Sequence, residues 1–104
     1  MKINRREIRK ALAHYKESQK QTAAILKDEE IQSLFNQDHN KEAKALIEKR
    51  YPLGSVQSER EAGMNLAQVM TKTIPAGLLG GATPEKFFRN YKAFKGLLEL
   101  AEKI

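Results

Sequence analysis

Apolar residues recur at the three-and-four spacing of an α-helix along most of this chain. Ile8, Leu12, Tyr15, Gln19, Thr22 and Leu26 share one helical face, widened by Ala11 and Ala23, and predict a first helix running to about Lys27. Asn4 and Glu7 stand at the spacing of a capping box, which places its start. Lys27-Asp28-Glu29-Glu30 then reverses the charge, and Asp28 is suited to cap a short helix carrying Ile31, Leu34 and Phe35. A first helix running straight through is the alternative, and the break is the preferred reading. Residues 36–40 are polar and rich in Asn and Asp, whose side chains compete with helical hydrogen bonds, so they read as a turn. A helix over about Lys41–Arg50 offers Ala43, Leu46 and Ile47 to a core, and Pro52 with Gly54 prevents it from continuing far past Tyr51.

Ser58 and Glu61 repeat the capping-box spacing, ahead of Ala62, Leu66, Val69, Met70 and Thr73 on one face. Pro75 ends that helix. Residues 76–82 are permissive in backbone and apolar in side chain, so Leu78 and Leu79 are expected to plug an end of a bundle. Thr83 as cap, Pro84 at the first helical position and Glu85 in the first turn open a last helix. Phe87, Tyr91, Phe94, Leu98 and Ala101 form its face, broadened by Phe88, Leu97, Leu100 and Ile104. The pattern predicts an all-α fold: a single-domain bundle of four to five helices over residues 1–104, with a long, hydrophobic C-terminal helix at its centre.

Composition narrows the class. A chain of 104 residues supports one core, and 31% charged residues distributed among apolar positions suit a folded helical domain. There is no cysteine, hence no disulfide and no thiolate chemistry, and no apolar run approaches a membrane span, so a cytoplasmic location is expected. Net charge is +6 and unevenly placed along the chain. Residues 1–27 carry eight Lys and Arg against Glu7 and Glu17, whereas residues 28–104 carry eleven of each sign. At about 100° per residue, Arg5, Arg9, Lys16, Lys20 and Lys27 fall in one narrow arc of the first helix, a basic stripe on an element about 35 Å long. Spaced cations of this kind can follow phosphates, or can simply be a solvated face.

Catalytic signatures are missing from the sequence. His14 and His39 do not stand at a metal-binding spacing, and Ser55 and Ser58 have no base nearby and read as loop and cap. Gly80-Gly81 follows no strand and precedes no Gly-Lys-Ser/Thr, so a phosphate loop is not indicated. The connection over 74–82 is too long and too apolar for a helix-turn-helix, and the first helix lacks the Trp or Phe that anchors a helix on a membrane surface. No enzyme activity, metal or cofactor is expected. In length, helical-bundle character, basic balance and a substantial C-terminal helix the chain is similar to the small bacteriocin-immunity proteins of Gram-positive bacteria. That resemblance implies a protein-binding inhibitor or immunity role and transfers no individual residue. The expectation is a non-catalytic interaction protein binding another protein, acidic proteins included. The alternative is a DNA- or RNA-binding accessory protein using the basic stripe. The candidate surface comprises Arg5, Arg9, Lys16, Lys20, Lys27, Leu78 and Leu79.

Overall fold

Asn4 caps the first helix as expected, its Oδ1 accepting from the Glu7 amide at 3.1 Å, while the Glu7 carboxylate reaches back to the Asn4 side chain, accepting from Nδ2 at 3.2 Å in place of the backbone amide of a capping box. In the computed structural model, which describes residues 4–74 and 83–104, six helices follow. They are α1 (Arg5–Lys27), α2 (Glu29–Asn36), α3 (Asn40–Arg50), α4 (Val56–Thr73), α5 (Pro84–Arg89) and α6 (Tyr91–Lys103), and no strand occurs among the described residues. The chain divides into two compact units, one formed by Met1–Tyr15 with Glu61–Ile104 and the other by Lys16–Arg60.

The first unit is built around Ile8, Ala11 and Leu12 of α1, Leu66, Ala67, Val69 and Met70 of α4, Phe87 of α5, and Leu97 and Ala101 of α6, all buried. These are the faces that the spacing predicts for α1 and α4. Tyr15 meets Phe94 edge to face with ring centroids 5.4 Å apart, and Arg9 Nη2 donates to the Ile104 carbonyl at 2.9 Å. The two contacts make α1 and α6 antiparallel.

The C-terminal segment departs from expectation. Instead of one long helix it forms α5 and α6, which raises the helix count among the described residues above four to five. Asn90 causes the break. Its backbone is extended, with φ −115° and ψ 107°, its N–H still closes α5 on the Lys86 carbonyl, and its side chain accepts from the Lys92 and Ala93 amides to start α6. An asparagine that can satisfy two orphan amides competes effectively with the helix running through it. The register slips at this point, so Tyr91, assigned to the core by the spacing, is instead 80% exposed.

The start of α4 is also corrected. Ser55, not Ser58, is the cap: its Oγ accepts from the Ser58 amide at 2.9 Å, so the helix includes Val56.

In the second unit α1 turns a different face inward from the predicted one. Ser18 and Ile25 are buried, Gln19 and Ala23 are exposed, and Leu26 is 72% exposed. The reason is the turn after α3, whose main chain packs against α1. Ser18 Oγ donates to the Leu53 carbonyl at 2.6 Å, Gln21 Oε1 accepts from the Leu53 amide at 2.8 Å, and Thr22 Oγ1 lies 2.9 Å from both the Ser18 and Gly54 carbonyls. Main-chain groups in that turn have no helical partner, so α1 supplies polar side chains to them.

Asp28 ends α1 and begins α2, as predicted, accepting from the Ile31 amide at 3.2 Å. Its other partners come from the far end of α3: Arg50 Nη1 at 3.1 Å and the Tyr51 hydroxyl at 2.9 Å, while Arg50 Nη2 donates to Glu30 at 2.6 Å. The Ile31 amide, with Tyr51 and Arg50, holds the Asp28 carboxyl below its ordinary value of 3.8. The same bond to Asp28, reinforced by burial, pushes the Tyr51 phenol above 10.0. A depressed acid stabilises the fold above its unfolded value and loses that contribution as pH falls through the folded one; a raised phenol does the reverse at the alkaline end. Thermal unfolding followed against pH should therefore show one loss of stability starting near 3.8 and another starting near 10.0. Asp28→Asn should blunt the acid limb, and an unchanged acid limb in that variant would assign it to other carboxylates.

Candidate functional site

The exposed large apolar side chains of the second unit stand at a groove of about 600 Å³. Its floor is Ile25 with the buried backbone of Gly54, and half-buried Phe35 of α2 and Ile47 of α3 line it. Leu26, in the last turn of α1, and Val56, the first residue of α4, stand at the same groove with 72% and 69% of their surface exposed. Each is there for a local reason: the capping of α2 by Asp28 stops α1 one residue after Leu26, and the Ser55 cap makes Val56 the opening residue of α4. Lys44 and Glu48, one turn apart on α3, supply charge of both signs to the lining.

Three uncharged polar side chains of the lining are already engaged. The Thr22 hydroxyl serves main-chain carbonyls, the Gln32 amide donates to the Ile25 carbonyl at 3.0 Å, and the Ser55 hydroxyl donates to Ser58 Oγ at 2.7 Å. What the groove presents is chiefly apolar area, suited to anchoring hydrophobic side chains and not to moving protons.

A smaller cleft of about 400 Å³ lies in the first unit, lined by Glu7, Lys10, Ala11, His14, Asn65 and Val69. Glu7 and His14 are separated by two turns of α1, about 10.5 Å of rise, so they do not form an acid–base pair. Among the described residues no cluster of three metal-ligating side chains is present, and no helix is long and apolar enough to cross a membrane.

The predicted basic stripe is exposed throughout: Arg5, Arg9, Lys16, Lys20 and Lys27 all have open side chains on α1. Arg9 spends one guanidinium nitrogen on the Ile104 carbonyl. Arg5 and Arg9 belong to the first unit, and Lys16, Lys20 and Lys27 to the second. Leu78 and Leu79 lie outside the described residues.

Grouping charges by unit changes their meaning. The first unit has eleven Lys and Arg against five Asp and Glu, and the second has eight of each, so the whole excess of six belongs to the first. Counting along the chain concealed this, because Lys86, Arg89, Lys92 and Lys95 were averaged with the acids of α2 and α3. The groove is not legible in the spacing either. Leu26 fits the apolar face of α1 by spacing, and the exposure of Val56 follows from a cap set three residues before the predicted one.

No protein-family model matches the chain, and no curated protein and no solved structure matches it.

Proposed function

We propose that this chain is a non-catalytic interaction protein of the inhibitor, immunity or adaptor kind, which holds a protein partner in the apolar groove of its second unit. One observation carries the reading: Leu26 and Val56, both at least 69% exposed, stand at a groove floored and walled by Ile25, Phe35 and Ile47. Apolar side chains kept in water beside a preformed groove give up hydration when covered, and such concentrations mark protein contact sites. The second unit carries no net charge, which favours area over long-range attraction as its source of affinity.

The test is affinity capture from the source cells with the intact chain and with Leu26→Asp and Val56→Asp, followed by titration of the captured protein. Each substitution should raise its Kd about tenfold or more, as loss of a central apolar contact does. Binding should change little between low and high salt. A partner held equally by the intact chain and both variants would overturn the reading. The exposure of all five stripe cations favours a second reading, contact between α1 and a nucleic acid, and steep loss of affinity with salt would mark that mode.

A further inference from the structure

The slip at Asn90 leaves Tyr91 80% exposed among cations. Lys86, Arg89, Lys92 and Lys95 are all exposed within ten residues of chain, against the exposed acids Glu85 just before them and Glu99 one turn after Lys95. Lys95 stands one turn from Tyr91 on the same face of α6. Next to it Gly96 is exposed in mid-helix, and a Cβ there would meet nothing within 4 Å. Packing does not require this glycine, which weakens the helix; what it does is keep the surface beside Lys95 low. The apolar residues Phe87, Leu97 and Ala101 of the same elements are buried in the core. Among the described side chains, the outer face therefore offers the exposed ring of Tyr91 and several cations.

We propose that this α5–α6 corner binds single-stranded nucleic acid, with a base stacked on Tyr91 and the flanking phosphates met by Arg89, Lys92 and Lys95. Charge complementarity selects a polyanion, since the unit carrying the corner holds the whole positive excess of the chain. The ring selects a single strand, because a side chain stacks on a base only where the base face is free, and paired bases in a duplex cover one another. The site shares no residue with the groove or with the α1 stripe, and it stands without either.

Fluorescence anisotropy of a labelled dT 12-mer, its duplex with the complementary dA strand, and heparin, at 50 to 200 mM salt, tests it. The expected result is saturable binding to the single strand, weaker binding to the duplex, and a loss of about 5- to 100-fold for Tyr91→Ala. Tyr91→Phe, which keeps the ring, should stay within about twofold. Lys92→Gln combined with Lys95→Gln should weaken binding and flatten the log-log salt slope by about 1.4 for two lost phosphate contacts. Circular dichroism of each variant confirms folding, and an exposed Tyr91 leaves it unchanged. Arg5→Gln, Lys20→Gln and Lys27→Gln together separate this site from the stripe: the penalty for Tyr91→Ala should persist in that background. Absence of binding at 50 mM salt would overturn the proposal. So would affinity unchanged in Tyr91→Ala, or binding of heparin and duplex equal to the single strand, which is charge attraction alone.

Discussion

Leu66→Ala should destabilise the protein by about 2–5 kcal/mol in urea or thermal unfolding, the usual range for truncating a fully buried leucine. Leu66 is 0% exposed in the middle of α4 and sits in the core cluster with Ile8, Leu12, Met70 and Leu97. Truncation removes three carbons whose burial favours folding and leaves a cavity that surrounding helices close only partly. Domains of this size have about 5–15 kcal/mol in total, so the loss takes a large share and should lower Tm by roughly 10 °C or more. Leu26→Ala is the control. With 72% of its surface already in water, it should fall within about 0.5 kcal/mol of the unaltered chain. Comparable losses in both variants would restore the helical face that spacing alone predicts for the second half of α1.

That contrast locates what the sequence discloses about this fold. Caps are local, requiring only that a side chain reach an amide two or three residues away, so Asn4, Asp28 and Thr83 are readable without any tertiary knowledge. The face of α1 in the first unit and that of α4 are readable for a similar reason: apolar side chains at helical spacing have one way to be buried together. Ser18 and Leu26 are not. The inward turn of Ser18 depends on the Leu53 carbonyl, 35 residues away, and no periodicity encodes the position of a distant turn. Asn90 is an intermediate case. An asparagine in mid-pattern announces a competing hydrogen-bonding arrangement, yet the aromatic spacing from Phe87 to Phe94 outweighs it on paper. The candidate surfaces follow from these same two departures, since Leu26 and Tyr91 are exposed where local packing or capping overrides the pattern.

Gly54→Ala should cost about 1–3 kcal/mol, the scale of forcing a methyl group into a packed site, and should weaken partner binding at the groove as well. A Cβ on Gly54 would lie 2.7 Å from Ile25 Cδ1, 3.0 Å from Tyr51 Cβ and 3.2 Å from the backbone carbon of Gln21. The Ile25 methyl can swing away; the Gln21 main chain, inside a helix, and the Tyr51 Cβ, fixed to its own backbone, cannot. The turn must then retreat from α1, which stretches the Ser18–Leu53, Gln21–Leu53 and Thr22–Gly54 hydrogen bonds together. Because Ile25, Gly54 and Val56 line the same groove, the displacement moves its floor and one of its exposed walls. Stability and binding are thus linked through one close approach, and measuring both in the same variant separates the cases. Lost stability with unchanged affinity would place the partner elsewhere, and lost affinity in a fully folded variant would tie recognition to the seating of this turn on α1.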